Sequence, residues 1–120
     1  MKRDFDLVRM ILKEVEGLAP GRQMKNFTYD GFDDDVSEAH VVLLIEAGLL
    51  DGTIFAPLSG ERKGIITGLT WAGHDFLDSI QDDTLWAKAQ DKVIKPAGGV
   101  AFSVLLEWVK AEASQRLGLA

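Results

Sequence analysis

Cysteine is missing from all 120 residues, which excludes disulfides and thiolate zinc sites and fits a reducing compartment such as the cytoplasm. Long apolar runs are missing too. No stretch free of charged residues is longer than Pro96 to Leu106, far below the roughly 20 residues needed to cross a bilayer, so no membrane partner is expected. Lys2, Arg3, Asp4, Asp6 and Arg9 interrupt the N-terminus, where a secretory signal would need an unbroken apolar core. The most telling gap is of one charge sign. Between Lys25 and Arg62 there is no lysine or arginine, while eight acids fall there, three of them adjacent at Asp33, Asp34 and Asp35.

What remains is an ordinary globular composition, 47% apolar and 27% charged, neither disordered nor low in complexity. The length suits a single domain that buries a core without covalent staples. A net charge of −6 repels polyanions at long range, although a local basic patch can override the average.

From Asp4 to Glu16, Phe5, Val8, Ile11, Leu12 and Val15 recur at spacings of three and four, predicting a helix that stops at Gly17. Met24 to Asp30 alternates, Phe27 and Tyr29 against Asn26 and Thr28, and predicts a short strand. The three aspartates stand where the next helix starts, because carboxylates accept from free N–H groups there and favour the positive end of the dipole. In that helix Val36, His40, Leu43, Leu44 and Ala47 form the predicted inward stripe, which leaves Ser37, Glu38, Val41, Ile45 and Glu46 facing elsewhere.

Leu50–Phe55 and Ile65–Leu69 predict a hairpin joined by a turn-rich linker from Ala56 to Gly64. Thr70 is placed to cap a helix bearing Gly73, Phe76, Leu77 and Ile80 on one face. Leu85, Trp86, Ala89 and Val93 extend a further stripe, which Lys95-Pro96 is expected to break. After Pro96-Ala97-Gly98-Gly99, the residues Phe102, Leu105, Leu106, Val109, Ala113 and Leu117 keep a 3.6-residue period. Val100, Val104 and Trp108 add a second apolar edge, which either wraps the core or joins a homodimer through this C-terminal helix.

This order predicts an α+β, mostly helical fold: a winged helix-turn-helix over residues 1–82, with additional C-terminal helices over 83–120 packed on it as one domain. Three segments carry a family resemblance: Met1-Lys2-Arg3-Asp4-Phe5-Asp6-Leu7-Val8-Arg9, His40 to Leu50, and Leu69-Thr70-Trp71-Ala72-Gly73-His74-Asp75-Phe76-Leu77 followed by Trp86. Together the chain resembles short, uncharacterised proteins of phages and prophages, a winged-helix family of unknown function. The resemblance implies a fold and a bacterial or phage setting. It carries no established activity, cofactor or catalytic residue.

Only His40 and His74 are available as bases. His74 and Asp75 are neighbours in sequence, so on a helix their side chains diverge by about 100° and cannot orient one another. His40 shares a stripe with Leu43 and Leu44 and reads as a core imidazole bonded to backbone or to an acid. No catalytic, cofactor-binding or metal-ligating residue is therefore assigned, and a binding role without turnover is expected.

Groove reading and phosphate contact rely on Arg, Lys, Asn and Gln, whereas the outward face of the helix after the aspartates offers Ser37, Glu38, Val41, Ile45 and Glu46. An apolar pair with an acidic rim suits a protein partner, and these five residues are the candidate protein contact of a regulatory module. The alternative is a DNA-binding transcriptional regulator that grips through Arg62 and Lys63 on the wing and through a dimer interface.

Overall fold

The computed structural model describes residues 1–58, 60–97 and 100–118. Helix α1 (Phe5–Glu16) buries Phe5, Val8, Ile11, Leu12 and Val15 as the spacing demands, and Leu7 with them. The Asp4 carboxylate opens it by accepting the N–H groups of Asp6 and Leu7 at 2.9 and 3.2 Å, two of the donors a helix start leaves free.

From Gly17 to Asp33 no residue is helical, so a non-helical segment joins α1 to the next helix. The predicted strand over Met24–Asp30 contracts. One antiparallel bridge, Met24 to Ile66, keeps two backbone hydrogen bonds of 2.9 Å, and the ladder goes no further. The alternation itself is real, since Phe27 and Tyr29 are buried while Asn26 and Thr28 are exposed. Side-chain burial holds this segment, and the Tyr29 hydroxyl donates to Glu14 Oε1 at 3.1 Å. Burial first, and the Glu14 charge second, push the phenol pKa up, so it stays protonated.

Helix α2 (Asp34–Glu46) follows Asp33, whose extended backbone occupies the N-cap position without a side-chain cap bond. The aspartates therefore act through the dipole, with Asp35 Oδ1 also accepting the Val36 N–H at 2.9 Å. At the far end Gly48 takes φ +77°, the Leu49 N–H reaches the Leu44 carbonyl, and the Gly48 N–H reaches that of Ile45. This pair of bonds is a Schellman turn, and it explains the Glu46-Ala47-Gly48-Leu49 sequence.

Strands β1 (Leu50–Phe55) and β2 (Lys63–Leu69) form an antiparallel pair with register Leu50 to Leu69 and Phe55 to Lys63, bulged between Asp51 and Gly52. Helix α3 (Trp71–Ile80) is capped by Thr70, whose hydroxyl accepts the Gly73 N–H at 3.0 Å and donates to the Gly48 carbonyl. Gly73 lies against the same turn. A Cβ there would sit 2.0 Å from the Leu49 carbonyl oxygen, so glycine is the residue this close approach tolerates. Two of the three resemblance segments are thus each other's contact surface.

The chain divides into two compact units inside α3, the first containing residues 3–75 and the second Phe76 onward. The sequence-based boundary at 82/83 marks the N-cap of α4 (Asp83–Ala89) instead. In the second unit Phe76, Leu77, Ile80, Leu85, Trp86, Ala89, Leu105 and Val109 are buried, and the Phe76 and Phe102 rings meet edge to face at 4.8 Å. Asp82 Oδ1 accepts the Leu85 N–H at 2.8 Å and Arg116 at 3.0 Å, which together hold its carboxyl below the usual range.

The expected break at Lys95-Pro96 does not occur. Helix α4 runs through a π-helical turn (Gln90–Ile94) into α5 (Lys95–Ala97). The Lys95 N–H bonds the Gln90 carbonyl, and Pro96, which has no N–H to place, follows that wider turn without ending the helix. In α6 (Phe102–Arg116) Leu105 and Val109 are buried, while Val104 is 54% and the trailing Leu117 72% exposed. No helix among the described residues is long and apolar enough to cross a membrane.

Candidate functional site

The face that α2 buries carries Ser37, His40, Val41 and Leu44, spaced i, i+3, i+4 and i+7, and Val42 is buried as well. The expected stripe is corrected in part: His40 and Leu44 are buried as expected, while Ser37 and Val41 take the place of Val36, Leu43 and Ala47, a rotation of less than one residue step. Val41 is fully buried and Ser37 likewise, so neither forms the outer contact expected of it. The cause is the hairpin: a Cβ on Gly64 would lie 2.8 Å from Val41 Cγ1 and 3.0 Å from Ile45 Cδ1, so α2 lies against β2 where the strand has no side chain. Of the five candidate contacts, Glu46 stays exposed and Glu38 and Ile45 stay half-buried.

Of the residues turned outward, Val36, Leu43 and Ala47 were expected inside, and Ala39 was assigned to neither face. Leu43 and Ala47 are exposed, and Val36 and Ala39 are half-buried. Val36, Ala39, Val42 and Leu43 line an open groove of about 430 Å³, with Met1 also on its wall. Its polar lining is Asp35, Glu61 and Arg62. A second hollow of about 220 Å³ shares Asp35 and Glu61 and adds Asp34, Glu38 and Lys63.

Electrostatics follow from these neighbours. Arg62 Nη2 pairs with Glu46 Oε1 at 3.2 Å, tying the hairpin loop to the end of α2. Burial raises the Glu38 pKa, against which the Gly64 N–H and the Lys63 charge act, while Asp34 adds to the rise. Glu38 Oε2 and Ser37 Oγ have no hydrogen-bond partner among the described residues. Arg62 and Lys63, the candidate nucleic-acid contacts, are thus each set beside a carboxylate.

His40 is committed to structure. Its Nε2 accepts the Asp4 N–H at 2.8 Å and its Nδ1 stands 2.9 Å from the Val36 carbonyl, so the proton is on Nδ1. The ring joins the start of α1 to α2. His74 and Asp75 are exposed on the first turns of α3.

Residues 2–100 match the family model described as a hypothetical protein, DUF2513. The chain belongs to the DUF2513 family. An uncharacterized protein of Haemophilus influenzae is 38% identical to this DUF2513 chain over 87 residues, covering 72% of the chain and 73% of the relative. No solved structure matches it. In this DUF2513 protein the groove residues Val36, Ala39 and Leu43 were missed because α2 is apolar almost all round, so two stripes satisfied the same spacing. The signal that separates them is Gly64, which marks where the hairpin lies close.

Proposed function

We propose that this DUF2513 chain is a non-catalytic regulatory module of winged-helix type that binds a protein through the outward face of α2. The order supports the fold reading: α1, a bridged segment, α2, a Schellman turn, a hairpin and α3 follow one another as in a winged helix shortened by one helix. The single observation that carries the function is the groove beside α2, apolar along Val36, Ala39, Val42 and Leu43 and edged by Asp35 and Glu61. A helix meant for a phosphate-lined groove needs cations there, because released counterions drive most of that affinity. The phage or prophage setting, a cytoplasmic site of action and a homodimer through α6 complete the proposal, the last supported by the exposed Val104.

DNA binding through Arg62 and Lys63 is the competing reading. To separate them, the protein is used as bait in lysate of its bacterial host, beside Leu43→Asn and the double variant Arg62→Ala, Lys63→Ala. A protein retained by the parent and lost from Leu43→Asn, with circular dichroism unchanged, is the expected result. Retention of duplex DNA that vanishes in the double variant, with Leu43→Asn behaving like the parent, overturns the proposal.

A further inference from the structure

Resting on the protein-binding reading above, we infer that the groove beside α2 takes a cationic amphipathic helix, one with large apolar side chains at i and i+4 flanked by Lys or Arg. The shape comes from α2 itself. Val36, Ala39 and Leu43 lie at i, i+3 and i+7, so the apolar wall runs for about 10 Å at 1.5 Å per residue. Side chains one turn apart on a partner helix are about 5–6 Å apart, so two such anchors fit along that wall when their own helix runs along it.

Charge selects the sign of the partner. Asp35 and Glu61 edge the groove, and Asp34 and Glu38 continue the acidic surface into the adjoining hollow. The cations present are engaged: Arg62 pairs with Glu46 at 3.2 Å, and the Lys63 charge acts on Glu38. Five carboxylates therefore face two cations. A second copy of this chain would bring a further −6 to the contact, and nucleic acid or an anionic membrane would bring phosphates. A helix bearing Lys or Arg at the rim of its apolar stripe meets the acids that the others would be repelled by.

The probe is a fluorescein-labelled synthetic helix of roughly 14 residues, about the shortest length at which isolated helices persist, with leucine on one face and lysine on the other. Its glutamate counterpart has the same leucines and the opposite charge. Anisotropy titration of the whole protein, with ¹H–¹⁵N spectra of the labelled chain, reads both affinity and place. The leucine–lysine helix is expected to bind at least about tenfold tighter than the leucine–glutamate helix and to shift the Ala39, Val42 and Leu43 amides. Leu43→Asn weakens it by about tenfold, and Asp35→Asn with Glu61→Gln by a few fold. Asp51→Asn, a single neutralised carboxylate on β1 outside the groove lining, leaves it within a factor of two of the parent.

Equal binding of the two helices, shifts confined to other residues, or losses from Asp51→Asn and from Asp35→Asn with Glu61→Gln that are equal per charge removed overturn the inference, the last because general attraction to an acidic protein would explain it. Tighter binding of the leucine–glutamate helix at the same amides overturns the partner chemistry and leaves the protein-binding reading standing.

Discussion

Replacing His40 by alanine is the sharpest test of how the first unit is held together. The ring is 1% exposed and bonds at both nitrogens, accepting from Asp4 and donating to Val36. Truncating a buried side chain of this size costs about 2–5 kcal/mol, and a donor stripped of its acceptor about 1–3 kcal/mol. Asp4 is itself exposed, so water restores part of the second cost, and alanine's better helix propensity returns roughly 0.5 kcal/mol. We expect a net loss of about 3–4 kcal/mol. With a urea slope of roughly 1–3 kcal/mol per molar, the midpoint followed by circular dichroism falls by about 1–4 M. His40→Phe keeps the volume and removes the acceptor, isolating the hydrogen bonds at about 1–2 kcal/mol. His74→Ala, on an exposed helix position, stays within about 0.5 kcal/mol of the parent. A loss below about 1 kcal/mol for His40→Ala, or equal losses at the two histidines, refutes the structural role of the imidazole.

Gly73→Ala is expected to lose about 1–3 kcal/mol in the same titration, because its Cβ meets the Leu49 carbonyl, whereas Gly68→Ala enters open space and changes little; similar values at the two would contradict the close approach. Val41→Asp places a carboxylate beneath the hairpin and should unfold the first unit, seen as lost amide dispersion; a folded variant would contradict the buried face of α2. Glu38 has a raised carboxyl pKa, so the folded state holds its proton more tightly than the unfolded chain and stability declines as pH rises from the ordinary glutamate range through the raised folded value. Glu38→Gln should flatten that decline, and an unchanged pH profile would remove Glu38 as its source. Asp82, held low by the Leu85 N–H, has the opposite sign: its contribution is present above pH 3.8 and is lost as pH falls through its lower folded value.

Much of the local structure was legible because it rests on short-range chemistry. The α1 stripe, the Thr70 cap and the hairpin all follow from local residue patterns. The phase of α2 was not legible, since Val36, Ala39, Val41, Val42, Leu43, Leu44 and Ile45 leave no polar side to orient by. What orients it is Gly64, at least 18 residues away along the chain from Glu46, and Asp4, whose N–H seeks His40. The short strand failed for a related reason. Alternation reports which side chains are buried, and Phe27 and Tyr29 are, but pairing with β2 is confined to the one bridge between Met24 and Ile66. Pro96 misled because the π-helical turn before it cannot be read from residue types. The candidate site inherited the error in phase: Val41 lies under the hairpin, and the groove on the outward side is lined by Val36, Ala39, Val42 and Leu43 and edged by Asp35 and Glu61 in place of Ser37, Glu38 and Glu46.

The most direct measurement places a photo-crosslinking benzophenone side chain at position 43 and, as a control, at exposed Thr53 of β1, in cells of the bacterial host. The account expects a discrete protein adduct from position 43 and none from position 53. Adducts to nucleic acid at position 43, or the same protein adduct from both positions, would contradict it.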